Sequence, residues 1–160
     1  MKINKQDEYG LRILLRIARS DSNVGLSIPQ LSELEGMSQP YVAKTARMLR
    51  IAGFVESTRG QKGGYVLALE PDKIVIKDVI ALLGGNLFNK EFCGQHSGEI
   101  KFCTNSVDCS IRSLWTILQY TVDKVLANIT LNDLIGSEGD AKSKLDEIIA
   151  AQLNLEGMTI

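Results

Sequence analysis

Ser27-Ile-Pro-Gln-Leu-Ser-Glu-Leu-Glu-Gly36-Met-Ser-Gln-Pro-Tyr-Val-Ala-Lys-Thr-Ala-Arg-Met-Leu-Arg-Ile-Ala52 is the stretch on which the fold turns. With a period of 3.6 it reads as two helices separated by one glycine. Ser27 and Gln30 make a capping box, and Pro29 falls in a first turn whose N–H groups lack helical partners anyway, so a helix starts at Ser27. Leu31 and Leu34 are its inward residues, and Gly36 ends it because glycine accepts positive φ. Ser38 then caps a second helix running to Ala52, with Val42, Thr45, Leu49 and Ala52 as its buried stripe. Gln39, Ala43, Lys44, Arg47 and Arg50 populate the outer side. Two helices joined by a tight glycine turn describe a helix-turn-helix, or equally a plain helical hairpin with a charged solvent face.

The flanks favour the first description. After Gly53, residues 54–58 read as a strand, Arg59-Gly-Gln-Lys-Gly-Gly64 as a turn, and residues 65–69 as a second strand in which Tyr65, Leu67 and Leu69 alternate with Val66 and Ala68. The glycines let this tip approach DNA closely, and Arg59 and Lys62 are placed to meet phosphates or the minor groove; solubilising charge is their plainer role. Upstream, residues 5–20 form a helix with Leu11, Leu14, Leu15 and Ala18 on one face. Arg12, Arg16 and Arg19 lie on another face, suited to solvent or phosphate, and Asp7 and Glu8 complement the dipole in the first turn. Residues 76–84 make a short closing helix. Three helices and a basic hairpin are a winged helix. In it Gln39, Tyr41, Lys44 and Arg47 would read or position the major groove, joined by Arg59 and Lys62 of the wing.

Composition bounds the remaining classes. At 160 residues with 44% hydrophobic content the chain suits one compact domain with an appendage. Its apolar runs are too short to cross a bilayer and its first residues carry no export signal, so a cytoplasmic location is expected. Residues 1–75 hold 11 Lys/Arg against 8 Asp/Glu, and residues 76–160 hold 7 against 11. A basic front and an acidic back suit a DNA reader carrying a sensor and dimerisation segment. With one histidine, no nucleophile elbow and no phosphate-binding glycine loop, catalysis is not expected.

All three cysteines and that histidine, His96, fall in one Gly-, Ser- and Asn-rich loop, Cys93, Cys103 and Cys109 in the pattern C-x9-C-x5-C. Thiolates are soft ligands for iron–sulfur clusters and zinc. A zinc set of Cys93, His96, Cys103 and Cys109 and an iron–sulfur site stand level on spacing alone, and an odd cysteine count without an export signal disfavours a disulfide. Beyond the loop, a helix from 110 to about 128 carries Ile111, Trp115, Leu118, Val122, Val125 and Ile129 at steps of 4, 3, 4, 3 and 4. Such a seam suits packing on a second copy, or within one chain. Thr130 and Asp133 cap a last short turn, residues 136–139 read as a linker, and residues 141–153 as a weak amphipathic helix through Leu145, Ile148, Ile149 and Leu153. The division expected is a winged helix-turn-helix over 1–84, a cysteine loop over 85–109, a dimerisation helix and turn over 110–135, and a linker and tail over 136–160. The fold class is mainly α with a small β-hairpin wing.

Glu8-Tyr-Gly-Leu-Arg, Met37-Ser-Gln-Pro-Tyr-Val, the Arg59-Gly-x-x-Gly-Gly-Tyr wing, the three-cysteine loop and Ile129-Thr-Leu-Asn-Asp-Leu together resemble the Rrf-two family of winged-helix transcriptional regulators, of the IscR and NsrR type. The resemblance covers about residues 1–135. It implies a homodimeric bacterial transcription factor, a repressor, binding a pseudo-palindromic operator. It also implies an iron–sulfur cluster, 4Fe–4S or 2Fe–2S, that senses iron, redox state, nitric oxide or cluster supply, and so tips the metal toward iron. IscR-type members have a histidine ligand three residues after the last cysteine; here Arg112, which cannot ligate, stands there. NsrR-type members draw a carboxylate from the partner's first helix, and Glu8 occupies the matching place, with His96, then Asp108 and Asp7, as other candidates. Ala43 replaces a glutamate that helps IscR-like proteins discriminate DNA sites. A zinc-stapled or thiol-redox regulator without a cluster is the alternative.

Overall fold

The computed structural model describes residues 4–20, 24–58, 63–86, 88, 92–95, 97, 99 and 102–153. Its elements are α1 Lys5–Ala18, α2 Ile28–Glu35, α3 Gln39–Ile51, β1 Val55–Ser57, β2 Tyr65–Leu67, α4 Ile76–Leu83, α5 Phe92–Gln95, α6 Ser110–Leu126 and α7 Glu138–Leu153, with 3-10 turns at Pro71–Lys73 and Leu131–Leu134. The mainly helical winged helix-turn-helix is the architecture observed.

The two helices of the motif form where their caps place them. The Ser27 N–H donates to Gln30 Oε1 at 2.9 Å, and Gly36 takes φ 65°, which turns the chain so that the Met37 N–H reaches the Ser32 carbonyl at 3.0 Å. Leu31, Met37, Val42 and Leu49 then bury against Ile13, Leu14 and Ile17 of α1. The inward face of α1 is thus Gly10, Ile13, Leu14 and Ile17, one position round from the expected stripe; Leu11, Leu15 and Ala18 pack half-buried at its edge. Leu34 is exposed, not inward, because Glu35 holds the inward position at the end of this short helix. Ala52, expected in the α3 stripe, is exposed beyond the helix end, and Ala46 is buried in its place.

The wing is an antiparallel pair with Val55 opposite Leu67 and Ser57 opposite Tyr65. Leu26, just before α2, pairs on the other side of β2: its N–H donates to the Tyr65 carbonyl at 3.0 Å and its carbonyl accepts the Tyr65 N–H at 2.8 Å. A Cβ on Gly64 would lie 2.6 Å from the Leu26 backbone, so this close approach requires glycine. Val55 and Val66 are the buried residues of the two strands; Leu69, expected on the packing face, is exposed past the end of β2.

The end of α6 is sewn into the winged helix. The Ile76 N–H donates to the Ile129 carbonyl at 2.9 Å and the Leu131 N–H to the Ile74 carbonyl at 2.8 Å. Ile74, Ile76, Val79, Ile129 and Leu131 share the core. Of residues 136–139, read as a linker, Glu138 and Gly139 already belong to α7, and Ser137 and Asp140 exchange hydrogen bonds as its cap. Arg19 donates to the carbonyls of Leu134, Ile135 and Gly136 at 3.0–3.2 Å, and Leu145 and Ile148 of α7 pack on the core. No helix among the described residues is long and apolar enough to cross a membrane.

Candidate nucleic-acid interface and thiol loop

Arginines divide into two groups. On α1, Arg12 Nε donates to Glu35 Oε2 at 2.9 Å and its Nη2 to the Glu35 carbonyl at 2.8 Å, while Arg16 takes the other carboxylate oxygen. Glu35 is only 8% exposed, so two guanidiniums are what allow its charge to be buried. Arg12, Arg16 and Arg19, on the face read as suited to solvent or phosphate, thus brace α1 against α2 and the turn after α6. On α3, Lys44, Arg47 and Arg50 are exposed and make no ion pair among the described residues. Arg50 shares this exposed, unpaired state, three residues on from Arg47.

Gln39 is exposed at the start of α3. Tyr41 is half-buried and does something other than face outward: its ring meets Tyr9 edge-on at 5.4 Å, and its hydroxyl donates to the Lys5 carbonyl at 3.4 Å. The Lys5 ammonium lies 5.1 Å from the Tyr9 ring centroid and 5.9 Å from that of Tyr41. These contacts tie the start of α1 to the start of α3. Arg59 and Lys62 lie outside the described residues, as does His96.

Cys93 sits on α5, Cys103 in the following turn and Cys109 at the N-cap of α6; all three are free thiols and half-buried. The Arg112 N–H donates to Cys109 Sγ at 3.4 Å. Among the described residues no three His, Cys, Asp or Glu side chains gather as a metal set. The residues present fit a thiolate-held metal in donor type, with two donors bordering one turn and a third on a separate helix.

Most of α6 is uncovered. Ile111, Leu114, Trp115, Ile117, Leu118 and Tyr120 are each at least 40% exposed, and Val122 and Val125 are half-buried. Ile129 differs: at 7% exposure it lies in the core of its own chain, because the strand-like pairing with Ile76 pulls it inward. Against the inner side of α6 lies a cavity of about 520 Å³, lined by Asp7, Glu8 and Leu11 of α1, Ile80 of α4, and Val122 and Asp123 of α6 among others. Asp7 Oδ1 is buried there without a hydrogen-bond partner, while its Oδ2 accepts the Asn4 N–H at 3.0 Å. Glu8 is exposed and, like Val122, lines this cavity.

The Rrf2 (Rrf-two) family model, described as an iron-dependent transcriptional regulator, matches residues 3–137. The chain is 32% identical to the HTH-type transcriptional regulator CymR of Bacillus subtilis over 134 residues, 84% of this chain and 89% of that protein. The solved structure of that CymR, titled the global cysteine regulator, has a TM-score of 0.67 at 31% identity, covering 84% of this chain and 96% of that one. The structure of IscR from T. potens has a TM-score of 0.63 at 27% identity, covering 99% and 94%. With the family model running from α1 through the turn after α6, and the same winged helix in solved regulators, the chain belongs to the Rrf2 family of DNA-binding transcriptional regulators.

Proposed function

We propose that the chain works as a homodimeric repressor on a pseudo-palindromic operator, with its DNA affinity set by an iron–sulfur cluster held by Cys93, Cys103 and Cys109. One observation carries the reading: the thiols occupy the connection between α4 and α6, joining the DNA-reading body to the helix with the uncovered apolar face. When bound, the cluster supplies a redox-labile cross-link between α5 and the start of α6. Fixed at its far end by Ile129 and Leu131, α6 can respond to the loop only by changing its angle to the winged helix. In a dimer joined along α6, that angle sets the separation of the two α3 helices, which must match half-sites about 34 Å apart. Gln39, Lys44 and Arg47, with Arg59 and Lys62 of the wing, contact the duplex. The fourth ligand in this reading is Glu8 of the partner subunit, with His96, Asp108 and Asp7 as the other candidates.

Protein purified without oxygen should be brown, with visible sulfur-to-iron charge-transfer absorption and matching iron and sulfide. The iron count per chain would separate a 2Fe from a 4Fe centre. A colourless protein containing zinc, or no metal, would instead favour a zinc-stapled or thiol-redox regulator. That second reading is supported by the similarity to CymR, named a cysteine regulator.

A further inference from the structure

Arg112 stands three residues after Cys109, and its side chain folds back over the thiol loop. Its guanidinium donates to the Ser106 carbonyl at 2.7 Å and lies 3.5 Å from that of Asn105. Its backbone N–H donates to Cys109 Sγ at 3.4 Å. The Ser106 N–H in turn donates to the Cys103 carbonyl at 3.1 Å, closing a turn that begins at Cys103. Arg112 is itself held in α6, its carbonyl accepting the Thr116 hydroxyl at 2.8 Å. Through its backbone Arg112 thus meets Cys109 Sγ and through its side chain the Ser106 carbonyl, while Ser106 closes back on the Cys103 carbonyl, so that the residues between two of the three cysteines are held together. Cys93 lies outside this group, on the separate four-residue helix α5.

From this arrangement we infer that Arg112 is a positioning residue for the thiols, making Cys103 and Cys109 the pre-arranged half of a metal site that Cys93 completes. The inference rests on the thiolate-metal reading above. Arginine suits the role because it only donates and never ligates, so it braces the loop without competing for the metal. Its Nη2 faces two neighbouring carbonyls, in a direction fixed by the planar guanidinium that the flexible ammonium of lysine does not fix. The N–H to Cys109 Sγ survives deprotonation of the thiol, since it uses a sulfur lone pair, and such bonds tune metal thiolates.

The test is a cobalt(II) titration of the full-length apo-protein under reductant without oxygen, followed by sulfur-to-cobalt charge-transfer absorption. Cys93→Ser should still bind cobalt, with intensity for two thiolates in place of three. Cys103→Ser and Cys109→Ser should each weaken binding further than Cys93→Ser does. Arg112→Gln should weaken cobalt binding by about tenfold or more, as loss of an outer-shell partner does, and should do so in the Cys93→Ser background too. Arg112→Lys should recover only part of the loss. Unchanged melting of Arg112→Gln would separate positioning from general loosening. If wild type binds cobalt and Arg112→Gln binds it equally, the positioning role fails while the thiolate-metal reading stands. If Cys93→Ser abolishes binding as completely as the other two, the pre-arranged half does not exist. If wild type takes up no cobalt, both fall together.

Discussion

Glu35 decides what the arginines of α1 can do. Its carboxylate is buried, and Arg12 and Arg16 reach it from 23 and 19 residues away in sequence. Glu35→Gln should cost about 1–3 kcal/mol in urea unfolding, below the range for fully buried pairs because both arginines are partly exposed, with the salt dependence of DNA binding unchanged. Lys44→Ala and Arg47→Ala should do the reverse. Stability should stay within about 0.5 kcal/mol, while DNA binding weakens and the slope of log affinity against log salt falls by about one for each phosphate no longer neutralised. In the sequence, Arg12 and Arg16 look no different from Arg47 and Arg50. What separates them is a carboxylate arriving from another helix, which no local pattern records. Tyr41 is the same case: its place in the reading helix was legible, but its ring is committed to Tyr9.

Among the elements, α6 joins two environments. The 4-3-4-3-4 spacing marks one apolar face but does not say what covers it. From Ile111 to Leu118 the side chains are exposed, whereas Ile129 is in the core. Leu118→Glu should therefore give a folded monomer in sedimentation with weakened operator binding. Ile129→Ala should destabilise the fold by about 2–5 kcal/mol and leave the association of the folded protein intact. A folded Leu118→Glu dimer would place the interface elsewhere. The start of α7 escapes the sequence pattern because Gly136 and Gly139, before and within Ser137-x-x-Asp140, suggest a linker, yet the pair forms a cap. Hydrogen bonds from Ser137 hold the Asp140 carboxyl below its ordinary value of 3.8. A lowered value means that this stabilisation is present above pH 3.8 and lost as pH falls through the lowered value. Amide exchange at the start of α7 should accelerate in that acid range, and Asp140→Asn should remove the pH dependence.

For the whole molecule, the winged helix was legible because caps, a positive-φ glycine and a basic hairpin all agree on it. The Leu26–Tyr65 pairing was not, since a single bridge leaves no alternating pattern. Of the candidate site, the thiols could be read from composition alone. Their convergence could not, since in the proposed function it would need a bound metal and, for Glu8, a second chain. The three parts lie in a mechanical series: the thiol loop meets the start of α6, the end of α6 is pinned beside α4, and α1 is tied to α3 through Lys5, Tyr9 and Tyr41. The most direct test of this coupling is the affinity for an operator duplex, selected from a random pool, of anaerobically prepared wild type against the Cys93→Ser/Cys103→Ser/Cys109→Ser variant at one salt concentration. Control by the thiol-held centre predicts affinities that differ within about 5- to 150-fold, the usual range of coupling between two sites. Equal affinities under both reducing and oxidising conditions would contradict it, leaving a DNA reader whose cysteines have no hold on its operator.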